Sequence, residues 1–191
     1  MKIATALPFL PQADALGELS PQERLATLKK FVKSSRSVLE EEHLEGQSGL
    51  DNCSSMTGQI DHLLLRLFEM ASIKFPNTKI TILATGGYGR GYLNPGSDLD
   101  LLLLLPKATT RLNKAEKEFI DLILYPLWDL GFKVGQACRC IKECLQEGRS
   151  DSHTRTTLFD ARLLAGDQEL FESFRTKFRN CLLYTSPSPR D

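Results

Sequence analysis

The sequence predicts an α+β fold: a small mixed sheet flanked by helices, with a helical extension at the N-terminus. Three observations lead there. Two short apolar runs, Ile80–Ala84 and Leu101–Leu105, bracket a glycine-rich turn and read as strands. A third run, Phe132–Ile141, alternates at the period of a strand and follows a stretch with helical spacing. Elsewhere, apolar residues recur three and four apart over long segments.

Residues 1–19 read as an irregular lead-in. Ser20-Pro21-Gln22-Glu23 is a capping box with proline at the first helical position, so a helix is expected from there to Glu42. Leu25, Leu28, Val32 and Leu39 form its apolar stripe, and Arg24, Lys29, Lys30, Lys33 and Arg36 its solvated face. Glu45–Ser55 is rich in turn formers and reads as a loop. A second helix is expected over Ser55–Lys74, with Ile60, Leu63, Leu64, Leu67, Phe68 and Ala71 inward and His62 beside that stripe as a packing or solvated residue. Pro76-Asn77 stops it. Strands follow at Lys79–Ala84 and Asp98–Leu105. Asn113 can cap a helix reaching Leu130, with Glu116 at its third position, a kink at Pro126 and an end at Gly131. Phe132–Ile141 is then a strand, joined by a right-handed crossover if it runs parallel to its predecessor. Lys142–Glu147 reads as a helical turn, Ser150–Leu164 as a helix broken at Gly166-Asp167, and Gln168–Phe178 as the last helix. From Cys181 the composition changes abruptly. CLLYTSPSPRD reads as translated sequencing-adapter read-through, so residues 181–191 are left out of the fold prediction and the chain is expected to be a gene fragment.

The composition is that of an ordinary globular protein, with 41% hydrophobic and 25% charged residues, in a chain of 191 that can bury one sizeable core. Lys+Arg and Asp+Glu both number 24, so no basic excess marks a nucleic-acid partner. Five cysteines, an odd number, read as thiols in a reducing compartment. Cys138, Cys140 and Cys144 lack the paired spacing of a structural zinc site. Pro8 and Pro11 break the N-terminal apolar run, so it does not read as a signal peptide, and five leucines fall far short of the ~20 residues of a membrane span. A cytoplasmic protein without membrane contact is expected.

The chemistry concentrates in ITILATGGYGRGYLNPGSDLDLLLLLP, residues 80–106. Asp98 and Asp100 are two apart and run into a leucine strand, so both side chains point to one face. Two like charges there repel and are costly to desolvate; a hard divalent cation with oxygen ligands relieves both costs. Gly86 and Gly87 let backbone N–H groups approach an anion closely. Arg90 either binds a phosphate oxygen or pairs with Asp98 or Asp100 to hold the loop. Ser97 caps the loop or contacts phosphate.

Gly86-Gly87 followed by Ser97-Asp98-Leu99-Asp100 resembles the signature of the polymerase-β-like nucleotidyltransferase superfamily. The fuller string GGYGRGYLNPGSDLDLLLL, with WDLGFKVG and LFDARLLAGD downstream, resembles the N-terminal transferase domain of the bifunctional uridylyltransferase/uridylyl-removing family, over residues 63–178. The resemblance implies a polymerase-β-like nucleotidyltransferase fold: a helical extension over 1–55 and the transferase domain, incomplete, over 56–180. It implies Mg2+ held by Asp98 and Asp100, phosphates seated by Gly86, Gly87, Arg90 and Ser97, and UTP as donor. It implies a tyrosine of the PII nitrogen-regulatory protein as acceptor, and HD and ACT domains farther along the full-length enzyme. The superfamily usually adds a third carboxylate from a neighbouring strand. FKVGQACRC carries none, with Gly135 and Gln136 at its centre. Asp160 is the nearest candidate, against an ion pair with Arg155 or Arg162, and Asp129 a weaker one. His153 reads as a solvated histidine in a polar run whose Ser152, Thr154 or Thr156 can contribute to nucleotide binding. Two alternatives stand beside uridylylation: a related transferase using ATP or another acceptor, and an inactive nucleotide-binding fragment.

Overall fold

The computed structural model describes residues Pro8–Leu183. In chain order its elements are α1 (Ala13–Glu18), α2 (Pro21–Leu44), α3 (Gly49–Lys74), β1 (Thr81–Ala84), α4 (Gly86–Gly89), β2 (Leu99–Leu105), α5 (Lys114–Asp129), β3 (Val134–Cys140), α6 (Ile141–Ser150), α7 (Ser152–Phe159), β4 (Arg162–Ala165) and α8 (Gln168–Leu183). They form a four-stranded mixed sheet, order β3-β2-β1-β4, with flanking helices. The chain divides into two compact units.

The first unit holds the residues through Thr78, with 91–99 and 115–134. The capping box that starts α2 is present: Ser20 accepts from the N–H of Glu23, whose carboxylate accepts from the N–H of Ser20. The lead-in is not wholly irregular. α1 forms within it, with Ala13 and Leu16 buried, and Arg24 donates to the carbonyls of Leu16, Gly17 and Leu19 at its C-terminal end. The expected loop over 45–55 shrinks to four residues, because α3 starts at Gly49. Ser48 caps it by accepting from the N–H of Asp51, an acid in the first turn that suits the helix dipole. α3 supplies the spine of the unit with Leu63, Leu64 and Leu67 fully buried. Phe68 meets Phe119 of α5 edge to face at 5.4 Å. Pro126 does not interrupt α5, which is continuous to Asp129; the proline costs one backbone donor while the buried face of Phe119, Ile123 and Leu127 carries the helix on. Gly131, at φ +81, ends it with the N–H of Phe132 reaching back to the carbonyl of Leu127. The hydroxyl of Thr57 accepts from the N–H of Leu93, tying the segment before Asp98 to α3.

The second unit holds 79–90, 100–114 and the residues from Gly135 onward, and contains the sheet. β1 pairs antiparallel with β2 in the register Thr81↔Leu104 to Ala84↔Leu101. All five leucines of 101–105 are buried, which fits an uninterrupted apolar run. Leu83, Leu102 and Leu104 pack with Cys144, Leu158, Phe171, Phe174 and Phe178 of the helices. The expected helix over 150–164 stops at Phe159. Arg162–Ala165 instead forms β4, antiparallel to β1, with Leu83↔Leu163 and Ala84↔Arg162 in register. Ala-Arg-Leu-Leu favours a helix in isolation, but pairing with β1 outweighs that preference. Asp167 donates its N–H to Thr81 and caps α8 through Leu170. α8 runs past Phe178 to Leu183; residues 184–191, most of the segment expected to be non-native, lie outside the described residues.

Among the described residues no cysteine forms a disulfide and no helix is long and apolar enough to cross a membrane. Burial pushes the Cys144 thiol up to about 12 and raises Cys138 as well, which suits inert packing thiols.

His62 packs against the Phe31 ring, centroids 5.9 Å apart. Burial first, and the charge of Arg66 second, hold it below its ordinary 6.5, with Glu69 opposing. The unfolded chain therefore takes up this proton first as pH falls through about 6.5. Stability should be full above that value and decline on acidification, before the carboxylates titrate. Denaturant midpoints between neutral pH and about pH 5 should fall for the natural chain, and His62→Gln should flatten that decline.

Candidate functional site

The site forms where β1 gives way to the glycine turn. Thr85 is extended, and its N–H donates to the carbonyl of Asp100 at 2.9 Å. This continues the β1–β2 ladder by one bond and sets Asp100 opposite the turn. Gly86 then adopts φ +56, a left-handed value disfavoured for side chains. A Cβ on Gly86 would lie 2.9 Å from Oδ2 of Asp100. From the other side β3 brings Gly135, where a Cβ would lie 2.6 Å from Oδ1 of the same carboxylate. The half-buried Asp100 carboxylate thus sits between two glycines that leave it room. A cavity of about 190 Å³ opens beside it, lined among others by Gly135, Gln136, Arg139, His153 and Thr157.

Three contacts bind the glycine turn to the corner between α7 and β4. Arg90 Nη1 meets Asp160 Oδ2 at 2.6 Å. Arg162 donates to the carbonyl of Tyr88 at 3.3 Å and stacks over the Tyr88 ring at 5.5 Å. Gly89 approaches so closely that a Cβ would run into the backbone oxygen of Asp160 and come within 3.0 Å of that of Ala84.

The structure brings Gly86 and Asp100 together. Arg90 pairs with Asp160, where the sequence suggested Asp98 or Asp100; of the partners suggested for Asp160, Arg155 donates to the carbonyls of Gly148 and Arg149. Gly87 is half-buried, with Arg90 Nη2 3.8 Å from where its Cβ would be. Ser97 and Asp98 are exposed in the approach to β2; the N–H of Ser97 closes a turn on the carbonyl of Asn94 at 3.0 Å. Asp129 lines a groove of the first unit with Pro21 and Arg24. His153 and Thr154 reach the Asp100 cavity. Arg139 and Thr157 were not singled out from the sequence. The signal for Arg139 was its place four residues after Gly135, on the same face of an alternating strand. No acid faces Asp100 from β3, because that position is Gly135 and even a methyl group would collide there. Among the described residues no group of three or more His, Cys, Asp or Glu could hold a metal ion.

A family model, the nucleotidyltransferase domain, matches residues 66–164. The chain belongs to that family. Two relatives extend the likeness, both described as a bifunctional uridylyltransferase/uridylyl-removing enzyme. That of Caulobacter vibrioides is 35% identical over 176 residues, and that of Gluconobacter oxydans 37% over 169. Each alignment covers 87% of this chain and 18% of the relative, so this nucleotidyltransferase chain spans under a fifth of the relatives' length. A toxin–antitoxin crystal structure, MntA-HpeT, superposes with a TM-score of 0.40 at 16% identity, over 65% of this chain and 87% of that one.

The two glycine contacts separate stability from function. Gly89→Ala meets backbone and should destabilise the nucleotidyltransferase domain by about 1–3 kcal/mol, read from denaturant midpoints. Gly135→Ala meets only the carboxylate of Asp100. It should displace that side chain and suppress activity while the melting temperature stays close to that of the natural chain.

Proposed function

We propose that the chain is the transferase portion of a uridylyltransferase. It would move UMP from UTP to a tyrosine hydroxyl of the PII nitrogen-regulatory protein, with Mg2+ as cofactor. The observation that carries this reading is the Asp100 carboxylate beside the glycine turn, in the room that Gly86 and Gly135 leave for it. The uridylyltransferase names of the relatives support a uridylyl group as the group transferred; UTP and the PII tyrosine rest on the resemblance of the sequence.

The donor set suits a hard cation: a carboxylate with a glycine on each side, and a second carboxylate, Asp98, two residues earlier. Asp98 and Asp100 would hold Mg2+. When bound, the ion stabilises charge on the transferring phosphoryl group and favours ionisation of the attacking hydroxyl. Gly86 and Gly87 would seat the β- and γ-phosphates through backbone N–H groups, without a side chain in the way. Ser97, just before the carboxylate pair, would contact phosphate. Arg90 and Asp160 hold the turn against α7 and β4, so Asp160 serves the site through its ion pair. The tyrosine oxygen bonds to the α-phosphorus, the bond to the β-phosphate oxygen breaks, and pyrophosphate leaves. In the longer protein, HD and ACT domains would follow.

The reading is tested by incubating the chain with labelled UTP, Mg2+ and PII. Label should appear on PII, and Asp98→Asn and Asp100→Asn should each lower transfer by about 100-fold or more. Transfer at natural rates in either variant removes the carboxylate pair from the mechanism. Preferential use of ATP in a competition panel would replace uridylylation with a related transfer.

A further inference from the structure

We infer that Arg139 is the side-chain cation that grips the nucleotide's triphosphate in the Asp100 cavity, an assignment that rests on the uridylyltransferase reading above.

Among the described residues, Arg162 is engaged with the carbonyl and ring of Tyr88; three further positive features lie near this cavity, and two of them are already neutralised. Arg90 is held by Asp160 at 2.6 Å. The N-terminus of α7 is filled by the carboxylate of Asp151, which accepts from the N–H of Thr154 at 2.6 Å and of His153 at 3.3 Å. Arg139 is the third. Its ion pair with Glu147 spans 3.8 Å, well beyond the ~2.7–2.9 Å of a charge-assisted hydrogen bond. Its side chain is 28% exposed, so the guanidinium is desolvated enough to gain from an anion and open enough to meet one.

The strand explains why this arginine reaches the site. Gly135 faces Asp100, and alternation puts Ala137 and Arg139 on the same face. The sequence of that face is therefore glycine, alanine, arginine: two small residues beside the carboxylate, then one long cation at the far end. Four residues of strand span roughly 13 Å. An arginine folded back along the cavity shortens that gap to the scale of a polyphosphate chain. A planar fork of N–H donors suits two phosphate oxygens at once, which an ammonium group does not.

The test compares binding of Mg-UTP and Mg-UMP to the 191-residue chain and to Arg139→Gln and Arg139→Lys, with a thermal melt of each. The natural chain should prefer UTP. Arg139→Gln should weaken UTP binding by at least about 10-fold, the scale of one charged hydrogen-bonding group, and narrow the preference over UMP by the same factor. Arg139→Lys should recover part of it, with melting temperatures alike. Natural UTP affinity in Arg139→Gln overturns the inference and leaves the uridylyltransferase reading standing. So does an equal loss of UTP and UMP, which would put the arginine on another part of the nucleotide. Failure of the natural chain to bind either nucleotide would instead sink the uridylyltransferase reading, and this assignment with it.

Discussion

The register between β1 and β2 is the constraint on which the site depends. With Ala84 opposite Leu101, the next bond joins Thr85 to Asp100 and brings the carboxylate to the glycine turn. A slip of one residue would turn Asp100 to the other face and put a leucine beside Gly86. The five leucines cannot prevent that slip by polarity, since they are buried whichever way they point. The end of the ladder must do it. Asp100 finds room between Gly86 and Gly135, where a Cβ on either glycine would crowd its carboxylate. The glycines therefore select the register as well as shaping the site.

Charge placement follows from that geometry. In the proposed site the glycine turn receives an anion, and the placement of its neighbouring cations bears on that role. Arg90 sits at the end of the turn and is 57% exposed, yet Asp160 draws it to the α7–β4 corner. At that exposure the pair contributes little to stability; its consequence is directional. It holds the guanidinium at the α7–β4 corner. Arg162, stacked on Tyr88 from β4, fixes the same turn from the next position of the corner.

Much of this was legible in the sequence, for local reasons. Ser20-Pro21-Gln22-Glu23 specifies a helix start through contacts within four residues, and it is found as read. Gly131 and Gly166-Asp167 end elements through backbone geometry that few other residues adopt. The juxtaposition of Gly86 and Asp100 was readable because only thirteen residues separate them and sequential strands so connected usually pair as neighbours. What escaped was long-range. β4 lies in a segment whose local preference is helical, and only the open edge of β1 turns it into a strand. The partner of Arg90 is seventy residues away, on the corner that β4 creates, so missing the strand meant missing the pair. The early start of α3 was a milder case: Ser48 and Asp51 carry the capping signal, but the neighbouring glycines and asparagine pointed to a loop.

The missing third carboxylate has a steric cause. Gly135 faces Asp100 at a distance that excludes even a methyl group, so an aspartate there could not join Asp100 without first pushing it away. A site arranged this way concentrates its acid on one strand, β2 and the residue before it, and leaves β3 to contribute space beside Asp100 and charge farther along. That division fits a fold in which small residues from the third strand pack against a carboxylate from the second. Gly135 and Arg139 lie on one face of β3 and both line the Asp100 cavity, so the small residue and the cation are set side by side on one strand.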